Sequence, residues 1–171
     1  GADTLTEVLD RVPGITGFRS GWLTSPQQAA YFGDFQRIRI FYDGLEIDPL
    51  DPRNNGIHDL SFIQLWQLEE VRIEPGATEL RVHLQSWRVR NTTPATRVDV
   101  STGDLETNTY RGFYGKRFNK GQILQIGAYQ LSTADTRNAG DADQVSMFGR
   151  TGVAGGKWSV DASFTRTHRD R

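Results

Sequence analysis

Leu5, Val8, Leu9 and Val12 stand at i, i+3, i+4 and i+7, so they share one face of a short helix. Thr4 with Glu7 three residues on has the spacing of a capping box, and Pro13-Gly14 stops the run, which predicts a helix over 4–12. Residues 15–33 have no clear period and several glycines. They read as an irregular, partly exposed loop carrying Phe18, Trp22, Tyr31 and Phe32. Polar and apolar residues then alternate over 37–42, Asp43-Gly44 supplies a turn, and Leu45-Glu46-Ile47 resumes the alternation, the pattern of a hairpin. After a Pro- and Asn-bearing loop, residues 60–68 allow a turn or two of helix capped by Asp59. Alternation returns over 70–74, ending at Pro75-Gly76, and again over 80–89. There Leu80, Val82, Leu84 and Ser86 oppose Arg81, His83 and Gln85.

Beyond residue 91 the predicted strands are 96–101, 110–118, 122–132, 144–154 and 157–167, joined by polar or glycine-bearing turns that include Gly155-Gly156. In the last of them Trp158, Val160, Ala162 and Phe164 share one face, so one side of the strand meets an apolar setting and the other water. The fold class that follows is α+β and β-dominated. A small α+β module spans 1–90 and an antiparallel β-meander spans 91–171, sandwich-like if the chain is complete.

Composition narrows the function. The 171 residues carry 20 Lys plus Arg against 21 Asp plus Glu, a net charge of -1, without the basic excess of a nucleic-acid binder. There is no Cys, which removes thiol nucleophiles, disulfides and thiolate metal sites. No apolar run is long enough for a transmembrane helix. Glu69, Glu70 and Glu74 fall around a strand with Arg72 between them, the arrangement of a solvated face with cross-strand ion pairs. The oxygen-rich loop of Asp48, Asp51, Asn54, Asn55 and Asp59 lacks the alternating spacing of a calcium loop, and so does the set Asp135, Asp141 and Asp143. His58, His83 and His168 are scattered, and no Ser sits in a nucleophile elbow. We therefore expect no enzyme, and assign no catalytic, cofactor-binding or metal-ligating residue. Trp66 and Trp87 suit core packing. Trp22, Tyr31 and Phe32, with the basic Arg88 and Arg90, make a candidate surface for a partner or ligand.

The run Thr4-Leu5-Thr6-Glu7-Val8-Leu9-Asp10-Arg11-Val12-Pro13-Gly14-Ile15 resembles the opening of a TonB-dependent receptor plug domain. Ile40-Phe41-Tyr42-Asp43-Gly44-Leu45-Glu46-Ile47 and Leu68-Glu69-Glu70-Val71-Arg72-Ile73-Glu74-Pro75-Gly76 resemble later strands of that domain, in the same order, over about 4–76. The resemblance implies a plug that gates nutrient uptake inside an outer-membrane barrel, with the residues after 91 as its first strands. Trp158, Val160, Ala162 and Phe164 would then face lipid. Five strands cannot close a barrel that needs about eight or more. The chain is thus expected to be part of such a receptor, partnered by the rest of the barrel. Alternatively it is a complete periplasmic extrinsic subunit, folded as a soluble sandwich, that docks on and stabilises a larger multi-protein membrane complex. Either way the expected location is the periplasm or outer membrane.

Overall fold

The structure, a computed structural model, describes residues 4–19, 25–49, 55–103, 107–133 and 142–170. It divides into two compact units, Gly1–Arg88 and Val89–Arg171.

The first unit opens with α1 (Leu5–Leu9), capped as its sequence predicts: the Thr4 side chain accepts the Glu7 N–H at 3.3 Å. The helix ends earlier than Pro13 requires. Val12 N–H turns back to the Leu9 carbonyl at 2.8 Å, and the Asp10 carboxylate leaves the helix to accept the Gly17 N–H. Leu5 and Leu9 are fully buried, and so is Thr6, whose hydroxyl donates to Gln27 Oε1 at 2.9 Å.

The segment read as an irregular loop is instead a hairpin, β1 (Ile15–Arg19) antiparallel to β2 (Gln27–Tyr31), with Ile15 opposite Tyr31. Its period was invisible because β2, Gln-Gln-Ala-Ala-Tyr, is shielded along nearly its whole length rather than on alternate residues. Gly17 is there for space, since a Cβ would stand 2.6 Å from Thr6 Cγ2.

A four-stranded sheet in the order β4-β3-β6-β5 builds the rest of the unit. It comprises β3 (Ile38–Tyr42), β4 (Leu45–Ile47), β5 (Leu68–Pro75) and β6 (Leu80–Ser86). Asp43 and Gly44 both have positive φ, 49° and 85°, as a tight Asp-Gly hairpin turn demands. The sheet is mixed, because β3 runs parallel to β6, pairing Ile38 with Leu80 and Ile40 with Val82. Two 3₁₀ turns, Leu60–Phe62 and Leu65–Gln67, occupy the predicted helical stretch. Asp59 caps the first, accepting the Ser61 N–H at 3.0 Å, and also accepts the Gln27 N–H at 3.1 Å. Leu5, Leu9, Tyr31, Ile38, Ile40, Leu60, Leu80, Val82 and Leu84 form one core with Ala29. Trp66 and Trp87 are half-buried and outside that cluster, so the aromatic filling comes from Tyr31.

Asp43 has a second task beyond its turn. Its carboxylate accepts the Ser86 N–H at 2.9 Å and the Ser86 hydroxyl at 2.6 Å, which ties the β3–β4 hairpin to the end of β6. Asp43→Ala therefore lowers unfolding stability by about 1.5–3 kcal/mol in a urea titration, while Asp43→Asn, which keeps the turn and one acceptor, loses less.

The second unit is a five-stranded antiparallel meander in the order β11-β10-β9-β8-β7. Its strands are β7 (Ala95–Thr102), β8 (Asn108–Arg117), β9 (Ile123–Thr133), β10 (Ala142–Ala154) and β11 (Ser159–Asp170). Each lies within a few residues of the predicted run. Gly155 N–H bonds the Trp158 carbonyl at 2.7 Å and closes the predicted hairpin. The sandwich expectation is not met, because the side chains a sandwich would bury, Val98, Ile126, Val160 and Phe164 among them, are exposed.

Candidate functional site

The register of the meander sorts its side chains onto two faces. Strand pairing aligns Val98, Gly112, Ala128, Met147 and Arg166 across the five strands, and Tyr114, Ile126, Gly149 and Phe164 in the next outward row. With Val100, Tyr110, Leu124, Val153 and Val160, these residues, Arg166 excepted, make an apolar surface. It is open: Val98 is 72% exposed, Ile126 51%, Met147 55% and Phe164 63%.

The opposite face is shielded on β9 and β10 and mostly polar, with Gln125 and Ser146 at 0% exposure and Arg150 at 3%, beside buried Leu131 and Phe148. Its polar groups pair laterally. Arg150 donates to Asp161 Oδ2 through Nε at 3.0 Å and Nη2 at 2.7 Å. Ser146 meets Thr167 at 3.0 Å, and Arg169 Nε donates to Gln144 Oε1 at 3.1 Å. This is the reverse of a water-soluble sheet, whose apolar face is buried and whose polar face is wet. Apolar out and polar in, on alternate residues, is the pattern of a wall strand in a membrane barrel. The lengths agree. β8, β9, β10 and β11 have 10, 11, 13 and 12 residues, enough to span a bilayer at the usual tilt, which takes about 9–11. No helix among the described residues is long and apolar enough to cross a membrane, which says nothing about strands.

The four-stranded sheet of the first unit carries a charged outer face. Arg39 bridges Glu46, with Nε at 2.6 Å, and Glu79 at 3.4 Å, while Arg81 Nε donates to Glu79 at 2.7 Å. His83 Nε2 lies 3.2 Å from Glu74, its ring stacked on Phe41 at 4.9 Å. The face is thus the solvated, ion-paired surface that the carboxylate spacing suggested for Glu74. A groove of about 500 Å³ on the same unit is lined by Asp43, Glu70, Arg72, His83, Gln85 and Arg88, a mixed-charge lining that also includes Leu84.

Three groups here make stability depend on pH. The hydrogen bond from Arg39, more than its charge, holds the Glu46 carboxyl below its ordinary 4.5. The hydrogen bond from Arg81 does the same for Glu79. Burial, against the pull of Asp48 and Glu46, lowers the His58 pKa below its ordinary 6.5. As the pH falls below 6.5, the unfolded chain protonates at His58 before the folded one, so stability declines until the folded pKa is passed. The carboxylate contribution is present in full above 4.5 and is lost as the pH falls through the lowered folded values. Urea midpoints measured against pH should therefore fall in two stages. His58→Gln removes the first and Glu46→Gln reduces the second.

The residues expected to form a partner surface have the following places. Trp22 lies outside the described residues. Tyr31 is buried, its hydroxyl donating to the Gly76 carbonyl at 2.8 Å, so its ring belongs to the core. Phe32 is 62% exposed at a left-handed turn position, φ 47°, with its ring 4.5 Å from that of Tyr31. Arg88 is exposed and borders the groove, 3.9 Å from Asp43. Arg90 is exposed in the second unit. Sequence reasoning missed the Asp43–Ser86 tie and the Arg150–Asp161 pair. The latter had a legible signal, a charged residue of each sign at the polar positions of two adjacent strands.

No protein-family model matches the sequence, and no curated protein matches it. Solved structures do match in fold. The pyoverdine outer membrane receptor FpvA from Pseudomonas aeruginosa PAO1, bound to pyoverdine, superposes with a TM-score of 0.72 at 11% identity, covering 96% of this chain and 25% of that one. The copper transporter OprC superposes with a TM-score of 0.74 at 16% identity, covering 97% of this chain and 28% of that one. The chain therefore spans about a quarter of the length of either structure. At these identities the likeness is one of fold: the chain has a TonB-dependent-receptor-like, β-dominated fold.

Proposed function

We propose that this chain is the gate and the opening wall segment of an outer-membrane receptor for the uptake of a scarce nutrient. The unit Gly1–Arg88 acts as the plug-like gate, and β7 to β11 are the first strands of the barrel wall. The observation that carries the reading is the inverted polarity of the meander, with Ile126, Met147 and Phe164 open while Gln125, Ser146 and Arg150 are shielded. The open edges of β7 and β11 suit it too, because a barrel continues from an unpaired edge where an isolated sheet would have to blunt it. The fold shared with an outer-membrane receptor and a copper transporter supports transport rather than catalysis. The lateral hydrogen bonds of the polar face then line the inside of the wall.

The test is extraction of the native protein. A receptor resists alkaline washing of outer membranes and runs at several times this chain's mass. A species of about this chain's own mass that washes off would overturn the reading and would fit an extrinsic subunit docked on a larger membrane complex.

A further inference from the structure

Of the 20 Lys plus Arg in the chain only three are lysines, Lys116, Lys120 and Lys157, and all three fall at one end of the meander. Lys116 stands near the end of β8, Lys120 in the turn from β8 to β9, and Lys157 in the turn from β10 to β11. The two hairpins touch there, the Ala154 N–H donating to the Gly121 carbonyl at 3.3 Å. No Asp or Glu occurs over residues 107–134 or 144–160, so neither hairpin brings a carboxylate to this end. Asp161, the next acid along β11, is taken by Arg150 on the polar face.

The register places the lysines beside aromatic rings of the apolar face. Lys116 pairs with Leu124, and its Nζ lies 5.1 Å from the centroid of the Phe118 ring, itself exposed. On the second hairpin Trp158, 59% exposed and two residues before Val160, lays its indole against Gly155, where a Cβ would stand 2.8 Å from it. Lys157 is its neighbour in the chain, and both it and Lys120 are exposed. Amphipathic aromatic rings gather at the borders of a bilayer, and a lysine there lays its apolar stem in the hydrocarbon with the ammonium among the headgroups. Lys116 and Lys120 belong to an interior hairpin, flanked by β7 and β10, so a strand added beyond β7 or β11 does not stand next to either. Neither enters an ion pair among the described residues.

We propose that this lysine-bearing end binds the phosphates of anionic phospholipids, holding them around the two hairpins at one border of the membrane. Three ammonium groups with no carboxylate from their own hairpins complement a leaflet of phosphodiesters, and the attraction grows with each lysine added near such a surface. The residue type suits the task. An ammonium on a flexible stem meets a phosphate from any direction in a fluid leaflet, where the planar fork of arginine favours one. The inference rests on the wall reading above.

The test is native mass spectrometry of the whole protein released from nanodiscs of phosphatidylcholine and phosphatidylglycerol in equal parts. We expect phosphatidylglycerol to be retained over phosphatidylcholine. Each single Lys→Gln should weaken that preference about fivefold, and Lys116→Gln, Lys120→Gln and Lys157→Gln together more than about twentyfold. The triple Lys→Arg variant, which keeps the charge, should keep most of the preference, and Arg97→Gln, on the polar face, should leave it unchanged. Insertion with the same preference in wild type and the triple glutamine variant would overturn the lipid site and leave the wall reading standing. Equal loss in the triple arginine variant would also overturn it, because charge would then not be the cause. Failure of the wild-type protein to enter the nanodisc would overturn both.

Discussion

Replacing Ile126 with arginine should cost about 2–4 kcal/mol of folding stability in a bilayer. Ile126 sits in the middle of β9 on the open face, with Tyr114 and Gly149 beside it on the flanking strands. In lipid a charge there has neither water nor a partner. The same charge placed by Ser163→Arg, on the polar face of β11 opposite Arg150, should cost well under half as much. Urea titration of the protein folded into lipid vesicles measures both. In a water-soluble sheet the difference would vanish, because exposed Ile126 would accept arginine within ~0.5 kcal/mol.

The second large effect belongs to the first unit. Leu80 is fully buried at the start of β6, the strand flanked by β3 on one side and β5 on the other, where it meets Ile38 and Pro75 in register. Leu80→Ala leaves a cavity that a strand held on both edges cannot collapse to fill, and should cost about 2–5 kcal/mol. Leu45→Ala, at a residue 77% exposed in β4, should cost less than ~0.5 kcal/mol in the same titration. The contrast matters for the proposed gate, which would have to move as a unit, and a unit with one continuous core does so more readily than a patchwork.

The alternating strands were legible because each sorts apolar and polar side chains onto opposite faces. Leu80, Val82 and Leu84 are all at 2% exposure or less, as their spacing predicts, and Trp158 to Phe164 declared an apolar face in the same way. The Thr4 cap and the Asp43-Gly44 turn were legible because their chemistry is local. Three kinds of feature were not. The β1–β2 hairpin was hidden because Gln27, Ala29, Ala30 and Tyr31 are all buried, which erases the period. The parallel pairing of β3 with β6 joins residues about forty positions apart and leaves no local mark. The third is which face of the meander is open. Periodicity separates two faces without saying which one meets the surroundings, so it could not foretell that Gln125, Ser146 and Arg150 are the shielded ones.

The burial of Tyr31 was hidden for a related reason. An aromatic in a glycine-rich stretch looks exposed, yet the Tyr31 hydroxyl found the Gly76 carbonyl and carried its ring into the core. Phe32, one residue on, stayed outside because the left-handed turn swings it away.

Which side of the meander touches lipid is read directly by a nitroxide scan of β9. Single cysteines at 123 to 131 in an otherwise cysteine-free background, labelled and reconstituted in bilayers, report collision with oxygen, which concentrates in lipid, against a water-soluble nickel chelate. If the apolar face meets lipid, oxygen accessibility has a period of two, high at 124, 126 and 128 and low at 123, 125 and 127. Oxygen accessibility that is flat along the strand, or highest at 123, 125 and 127, would contradict it.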